Sequence, residues 1–406
     1  DASGNLAVSL AAAPDAPFIR SNSQIPNFGF TRSVYWVRFK LESGNATGDW
    51  LLETGFPLLD RIDLYTDAND GKGYVHVSTT GRYFPYNQRM IKHRNMVFPF
   101  HMQPGSRYSC LMRIKTDDGM IFPLALWKKD AFMRKIQGEN FLFGIYYGII
   151  IVMFFYNLFL FISIRDTSYF FYILYIGFFG MFQISMNGLA CQYLWPGSPW
   201  WTIHANPFFI GLSLVFAIIF SIRFLDTRKN TPGLDVMLRI LLAVSFIQIA
   251  AALVLPYSLT ILTGQLLPLA CILTVTPAAI ICLMKGNRSA RFYLIAWSTF
   301  LAGIVLSTLR VMGLIPHNFL TEHGIQIGSA VETILLSLAL ADRIKIMEKE
   351  KQDAQGQLIE LKNREIDTLR RVKEKIEEAN RRISLSEERY RLLVEGSNEV
   401  IFTLDE

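Results

Sequence analysis

Phe141-Leu-Phe-Gly-Ile-Tyr-Tyr-Gly-Ile-Ile150-Ile-Val-Met-Phe-Phe-Tyr-Asn-Leu-Phe-Leu160-Phe-Ile-Ser163 carries no charged residue. A run of this kind, at about 20 residues, crosses the hydrocarbon core of a bilayer as a helix. Six more apolar blocks follow, near Ser168–Ala190, Ile203–Phe224, Val236–Leu255, Leu259–Met284, Phe292–Ile315 and Gly324–Ala341, each dominated by Leu, Ile, Phe, Val and Ala. The 406-residue chain is 51% hydrophobic with a mean hydropathy of +0.28, which excludes a wholly soluble protein and a single ordinary domain.

Lys and Arg in the short loops set the expected orientation. One set of loops holds Arg165, then Arg223, Arg228 and Lys229, then Lys285, Arg288 and Arg291, then Arg343 and Lys345. The alternate loops, Cys191–Thr202, Pro256–Ser258 and Pro316–His323, contain neither. The basic set marks the cytoplasmic side. Lys128, Lys129, Arg134 and Lys135 before the first span run against this, but charges in a folded translocated domain weigh less. The net charge of +6 is explained by these loops and by a helical tail, so nucleic acid is not an expected partner.

Upstream, Ser33-Val-Tyr-Trp-Val-Arg-Phe-Lys-Leu41 alternates, with Tyr35, Val37, Phe39 and Leu41 on one face and Trp36, Arg38 and Lys40 on the other. Further short runs at Trp50–Glu53, Arg61–Tyr65, Tyr74–Val77, Met96–His101 and Tyr108–Ile114 are separated by turn clusters such as Asp67-Ala-Asn-Asp-Gly71 and Pro104-Gly105. Short strands at this spacing predict an antiparallel sandwich or jelly roll. The opening at Asp1, without a charged-then-apolar leader, is compatible with a removed signal peptide.

Downstream of Ala341, Asp342–Leu393 reads as one charged helix with no proline and a single glycine, Gly356. Ile344, Met347, Ala354, Leu358 and Leu361, then Leu369, Val372, Ile376, Ala379 and Ile383, follow three-and-four spacing with an irregular step near Glu365. That pattern predicts a coiled-coil seam with a stutter, and hence a homodimer. The segment Ser386–Glu406 then passes to a Gly-Ser-Asn turn and a short strand, Val400–Leu404, as the start of another domain.

Two parts of the chain resemble one family, the bacterial seven-transmembrane receptors with diverse intracellular signalling modules. The first is Asn27-Phe-Gly-Phe-Thr31, Tyr35-Trp-Val-Arg-Phe39, Trp50-Leu-Leu-Glu53, Pro57-Leu-Leu-Asp-Arg-Ile-Asp-Leu-Tyr65, His93-Arg-Asn95, Phe98-Pro-Phe100 and Phe122-Pro-Leu-Ala-Leu-Trp127, in the order of that family's extracellular domain. The second is the membrane block, with Gly144-Ile-Tyr-Tyr-Gly148, Tyr156-Asn157 and Tyr169-Phe-Phe-Tyr-Ile-Leu-Tyr175. The final segment is similar to the opening of a PAS domain. The resemblance implies a jelly-roll sensor for carbohydrate-like or other small ligands, coupled across the bacterial inner membrane to a histidine kinase or a diguanylate cyclase.

The expected architecture is therefore a multidomain membrane protein. It has an extracytoplasmic all-β jelly-roll-like sandwich (1–132), a seven-helix transmembrane bundle (133–342), a cytoplasmic coiled coil (343–385) and the start of a PAS domain (386–406). Trp36 and Arg38, side by side on a polar strand face, can hold a sugar ring and its hydroxyl or carboxylate, or form a structural cation–π pair; Arg61, His93, Arg94 and Asn95 can extend such a pocket. Arg310 and Glu332 are costly inside a bilayer, at roughly 2.5–3.5 kcal/mol for such side chains on insertion scales, and are expected to pair inward, as a switch or as a packing clamp. Asn157, Gln183, Asn187, Gln248, Gln265 and Gln326 read as interhelical hydrogen-bond partners. Cys110, Cys191, Cys271 and Cys282 lack metal or redox spacing, and no phosphate loop, nucleophile elbow, zinc-protease motif or dinucleotide fingerprint occurs, so neither metal, cofactor nor catalytic residue is expected in this stretch. The rival readings are a transporter or channel, and a carbohydrate-binding module anchored by the helices.

Overall fold

The computed structural model describes residues 1–402 apart from 22, 24, 46, 68–72, 288–289, 312–313 and 317. Ala68–Gly71 of the expected turn, Arg288 of the basic loops, and Thr403 and Leu404 of the expected last strand therefore lie outside the described residues. The chain divides into two compact units, Asp1–Leu340 and Ala341–Glu406.

The first unit opens with a short helix, α1 (Val8–Ala12), and a set of strands: β1 (Asn27–Phe30), β2 (Tyr35–Glu42), β3 (Gly48–Thr54), β4 (Arg61–Asp67), β5 (Val75–Thr80), β6 (Met96–Met102), β7 (Arg107–Lys115), β8 (Gly119–Ile121) and β9 (Leu124–Lys128). They pair antiparallel as a four-stranded sheet β2-β7-β4-β5, a three-stranded sheet β6-β3-β9 and a ribbon β1-β8. Alternation puts Leu52, Phe98 and Phe100 of one sheet against Ile62, Leu64, Met112 and Ile114 of the other, with Tyr35, Val37, Phe39 and Leu41 at the margin, so the expected sandwich is present with the expected inward face of β2.

The three-stranded sheet is covered on its other side as well. Leu51, Val97 and Trp127 meet Phe132 and Ile136, which belong to the first turns of α2 (Lys129–Ile164). β9 ends at Lys128 and α2 begins at Lys129, so sheet and first span are joined without a linker. The helix thus starts 12 residues before the apolar run, and its first turns carry charge because they pack on the β domain instead of lipid.

The remaining elements of the bundle are α3 (Thr167–Met186), α4 (Leu189–Tyr193), α5 (Pro199–Leu225), α6 (Thr227–Asn230), α7 (Pro232–Val254), α8 (Tyr257–Met284), α9 (Ala290–Val311), α10 (Phe319–Glu322) and α11 (Gly324–Phe402). Among the described residues, seven helices are long and apolar enough to cross a membrane. The second block, expected as one span to Ala190, breaks at Asn187-Gly188: Gly188 sits at φ +74°, and a Cβ there would come within 2.7 Å of Pro57 Cβ. The helix must turn to clear the β domain, and only glycine takes that conformation cheaply.

In the second unit the chain is helical to Phe402. The expected Gly396-Ser397-Asn398 turn is not formed, and Val400–Phe402 are helix and not strand. A strand here has no partner among the described residues, whereas a helix satisfies its own backbone.

Candidate functional site

The six residues expected to form one ligand pocket fall in two places. Trp36, Arg38 and Arg61 lie on the outer face of the four-stranded sheet. One row across it reads Trp36, Arg113, Asp63, Thr79. Asp63 accepts from Arg61 Nε (3.0 Å), Arg113 Nη1 (3.1 Å) and Thr79 Oγ1 (2.7 Å). Burial by itself raises this carboxyl, but those hydrogen bonds outweigh it and hold Asp63 below the usual carboxylate range. Trp36 stacks on Tyr65, with centroids 6.2 Å apart, and its indole N–H meets no acceptor among the described residues. Arg38 does not pair with Trp36: its guanidinium lies 4.2 Å from the Phe18 ring centroid and donates to Ala13 O at 3.2 Å. The N-terminal segment therefore lies over this face, with Arg113 also holding Gly4 O at 3.0 Å.

His93, Arg94 and Asn95 lie instead at the joint between the β domain and the bundle. Glu53, on the same face of β3 as Leu51, is 2% exposed and accepts from Asn95 Nδ2 (2.7 Å), Trp127 Nε1 (2.9 Å) and Lys135 Nζ (2.9 Å). Lys135 also holds Glu139 at 2.8 Å, and Glu139 holds Arg94 at 3.0 Å. Arg94 Nη1 points to Asn187 O at 3.4 Å, and Asn187 Oδ1 faces Gln326 Nε2 at 3.5 Å, the limit of hydrogen-bond reach. A polar chain thus runs from β3 through α2 and the end of α3 to α11. His93 packs edge-on against Phe132 and accepts the Asn95 backbone N–H through Nδ1 at 3.2 Å. Burial, with the Arg94 charge beside it, holds the imidazole down to about 4.

A second tie lies nearby. Arg82, 1% exposed, sits between Asp60 (2.8 Å) and Asp118 (3.6 Å) and over the ring of Tyr257 at the start of α8, whose hydroxyl donates to Asp118.

Inside the bundle, Gln326, Ser329, Glu332, Thr333 and Ser337 make a polar stripe on α11 at helical spacing. Ser329 bonds Tyr146 (3.0 Å), Glu332 accepts from Tyr175 (2.8 Å), Tyr172 donates to Thr333 O (2.6 Å), and Asn157 donates to Ser337 (2.8 Å). Such bonds draw α11 onto α2 and α3 in a solvent that offers none of its own. Arg310 and Glu332 are not brought together. Gly303 of α9 packs on Gly324 of α11 so closely that a Cβ on it would lie 2.2 Å from Gly324 O. From that level Arg310 rises toward the β domain and Glu332 descends, which separates them by roughly 20 Å along the axis at 1.5 Å per residue.

A family model described as "7TM diverse intracellular signalling" matches residues 139–343, half of the chain, and one described as "7TMR-DISM extracellular 2" matches residues 1–128. The chain belongs to the seven-transmembrane receptors with diverse intracellular signalling modules. No curated protein matches it. It is a multi-pass membrane receptor, and the two matched stretches meet where Arg94 holds Glu139 and faces Asn187 O. In this receptor, among the described residues, no group of three or more His, Cys, Asp or Glu side chains is placed to hold a metal ion. Among the residues that sequence reasoning passed over is Glu53. Its signal was present: an acidic residue two positions on from Leu51, in the apolar run Trp50-Leu-Leu-Glu53.

Proposed function

We propose that the receptor senses a small, carbohydrate-like ligand at the outer face of its four-stranded sheet and relays occupancy to α11. The polar chain Glu53–Lys135–Glu139–Arg94–Asn187–Gln326 supports this reading, because it ties the sandwich to the helix that continues past the bundle. A shift between the sheets would change the hold on α2, and through it the polar stripe on α11.

In this reading the β domain is outside a bacterial inner membrane and α11 enters the cytoplasm. The basic loops support that orientation. Arg223 at the end of α5 donates to Thr167 at the start of α3, and Lys285 after α8 donates to Asn230 O, so these loops gather at the bundle end remote from the β domain. Beyond Ala341, Leu358, Leu361, Leu369, Val372, Ile376 and Ile383 are exposed on α11, with Leu361 at 62%, and a dimeric coiled coil would cover them. The coil would pass the signal to a PAS domain and then to a histidine kinase or, as the second choice, a diguanylate cyclase. The visible stretch itself would neither turn over substrate nor hold a cofactor.

The test places a spin label at Gln357→Cys in the full chain in lipid nanodiscs and measures the distance between labels on paired protomers. Glu53→Gln is expected to shift that distance distribution. An unchanged distribution would defeat the relay, and the absence of any label–label distance would defeat the dimer.

A further inference from the structure

Where the β domain meets the bundle, a small cavity of about 10 Å³, room for one water-sized sphere, is lined by Arg82, Arg89, Ser185, Gly188, Cys191 and Thr202, among others. Its walls come from the β5–β6 loop, the α3–α4 turn and the first turn of α5. Two guanidiniums line it, and they differ. Arg82 is answered by Asp60 and Asp118. Arg89, 6% exposed, meets no carboxylate among the described residues: Nη1 donates to His93 O (2.7 Å) and Arg94 O (2.8 Å), Nη2 faces Cys191 Sγ at 3.9 Å, and Nε–H finds no acceptor. Backbone carbonyls orient a cation without cancelling its charge. A guanidinium withdrawn from water is tolerated only beside a counter-charge.

We propose that this cavity binds one small monovalent anion of chloride size, held by Arg89 and locking the β5–β6 loop to the α3–α4 turn. Room for about one water-sized sphere favours a monatomic ion over the larger phosphate and carboxylate groups. Pro57, Leu58, Ala190 and Trp195 complete the lining, and such a partly apolar wall suits a weakly hydrated halide. The anion supplies a charged partner in direct contact with Arg89, which otherwise meets two backbone carbonyls, the Cys191 sulfur and the face of Tyr86, 5.1 Å from the ring centroid. Because its walls come from both domains, its binding favours the joined arrangement over a separated one.

The full chain in nanodiscs is unfolded thermally at constant ionic strength while gluconate is replaced by chloride, bromide or sulfate. Chloride and bromide are expected to give a saturable rise in midpoint of roughly 2–4 °C, with none from sulfate. The chloride NMR line should broaden with the protein and narrow again on adding bromide. Arg89→Met, or Ala190→Leu, which fills the cavity and leaves the arginine, should abolish both responses. Equal midpoints in gluconate and chloride, or halide responses that survive in Ala190→Leu, overturn the proposal. So does a halide response that appears only in Cys191→Ser, since the Cys191 thiolate would then be the counter-charge of Arg89.

Discussion

The two sheets of the N-terminal domain share a core and turn their outer faces to different neighbours. On the four-stranded sheet, the N-terminal chain is held over Arg38 and Arg113 by point contacts such as Arg38 on Phe18 and Arg113 on Gly4 O. On the three-stranded sheet, Leu51, Val97 and Trp127 are sealed by Phe132 and Ile136, with Glu53 buried among three donors. One face can be uncovered by moving a segment with few bonds, while the other cannot be uncovered without lifting α2 off the domain. A sandwich built this way leaves one sheet under a lightly held segment and packs the opposite sheet on the first turns of α2.

Breaking the sealed face should cost most. Glu53→Ala leaves Asn95 and Trp127 without their buried acceptor and removes one carboxylate from Lys135, and is expected to destabilise the receptor by about 3–5 kcal/mol. The midpoint of thermal unfolding in detergent would measure it, and a fall no larger than that of a surface substitution would erase the distinction between the sheets. The joint should also respond to acid. His93 is neutral in the folded protein, and protonation would remove the acceptor for the Asn95 N–H. Its folded value, about 4, lies below the usual 6.5, so the unfolded chain binds the proton more readily. Stability is full above about pH 6.5 and declines toward pH 4. His93→Gln should flatten that part of the profile by more than a matched change at the exposed His101. The smallest effect belongs to the strapped face: Arg38→Ala loses one exposed cation–π contact and one hydrogen bond, together about 1 kcal/mol or less. Faster hydrogen exchange confined to residues 8–20, with an unchanged midpoint, is the expected result.

Much of the architecture was legible because each part announces itself locally. Uncharged runs such as Phe141–Ser163 mark spans, and the alternation at Tyr35–Leu41 marks a sandwich strand with its inward face. The binding candidates were less legible. Trp36, Arg38 and Arg61 do share a sheet face, but His93, Arg94 and Asn95 precede β6 on a loop that folds onto α2 and α3, and nothing in their spacing says so. Arg310 and Glu332 are the costly charges of two neighbouring helices, and the sequence invites pairing them. Their levels along the axis depend on the Gly303–Gly324 contact, which is a property of the packed pair and not of either helix.

By itself, then, the sequence determined the number of spans, the sandwich and the polar residues that had to be satisfied within the membrane, since these follow from periodicity and from the absence of water in the bilayer core. Only the tertiary structure decided which of those polar groups meet: that Glu53 anchors the first span, that Tyr175 and not Arg310 answers Glu332, and that Arg89 is left facing a cavity. Hydrogen bonds and ion pairs act over about 3 Å, and partners distant in the chain come within that range only after helices and sheets have packed.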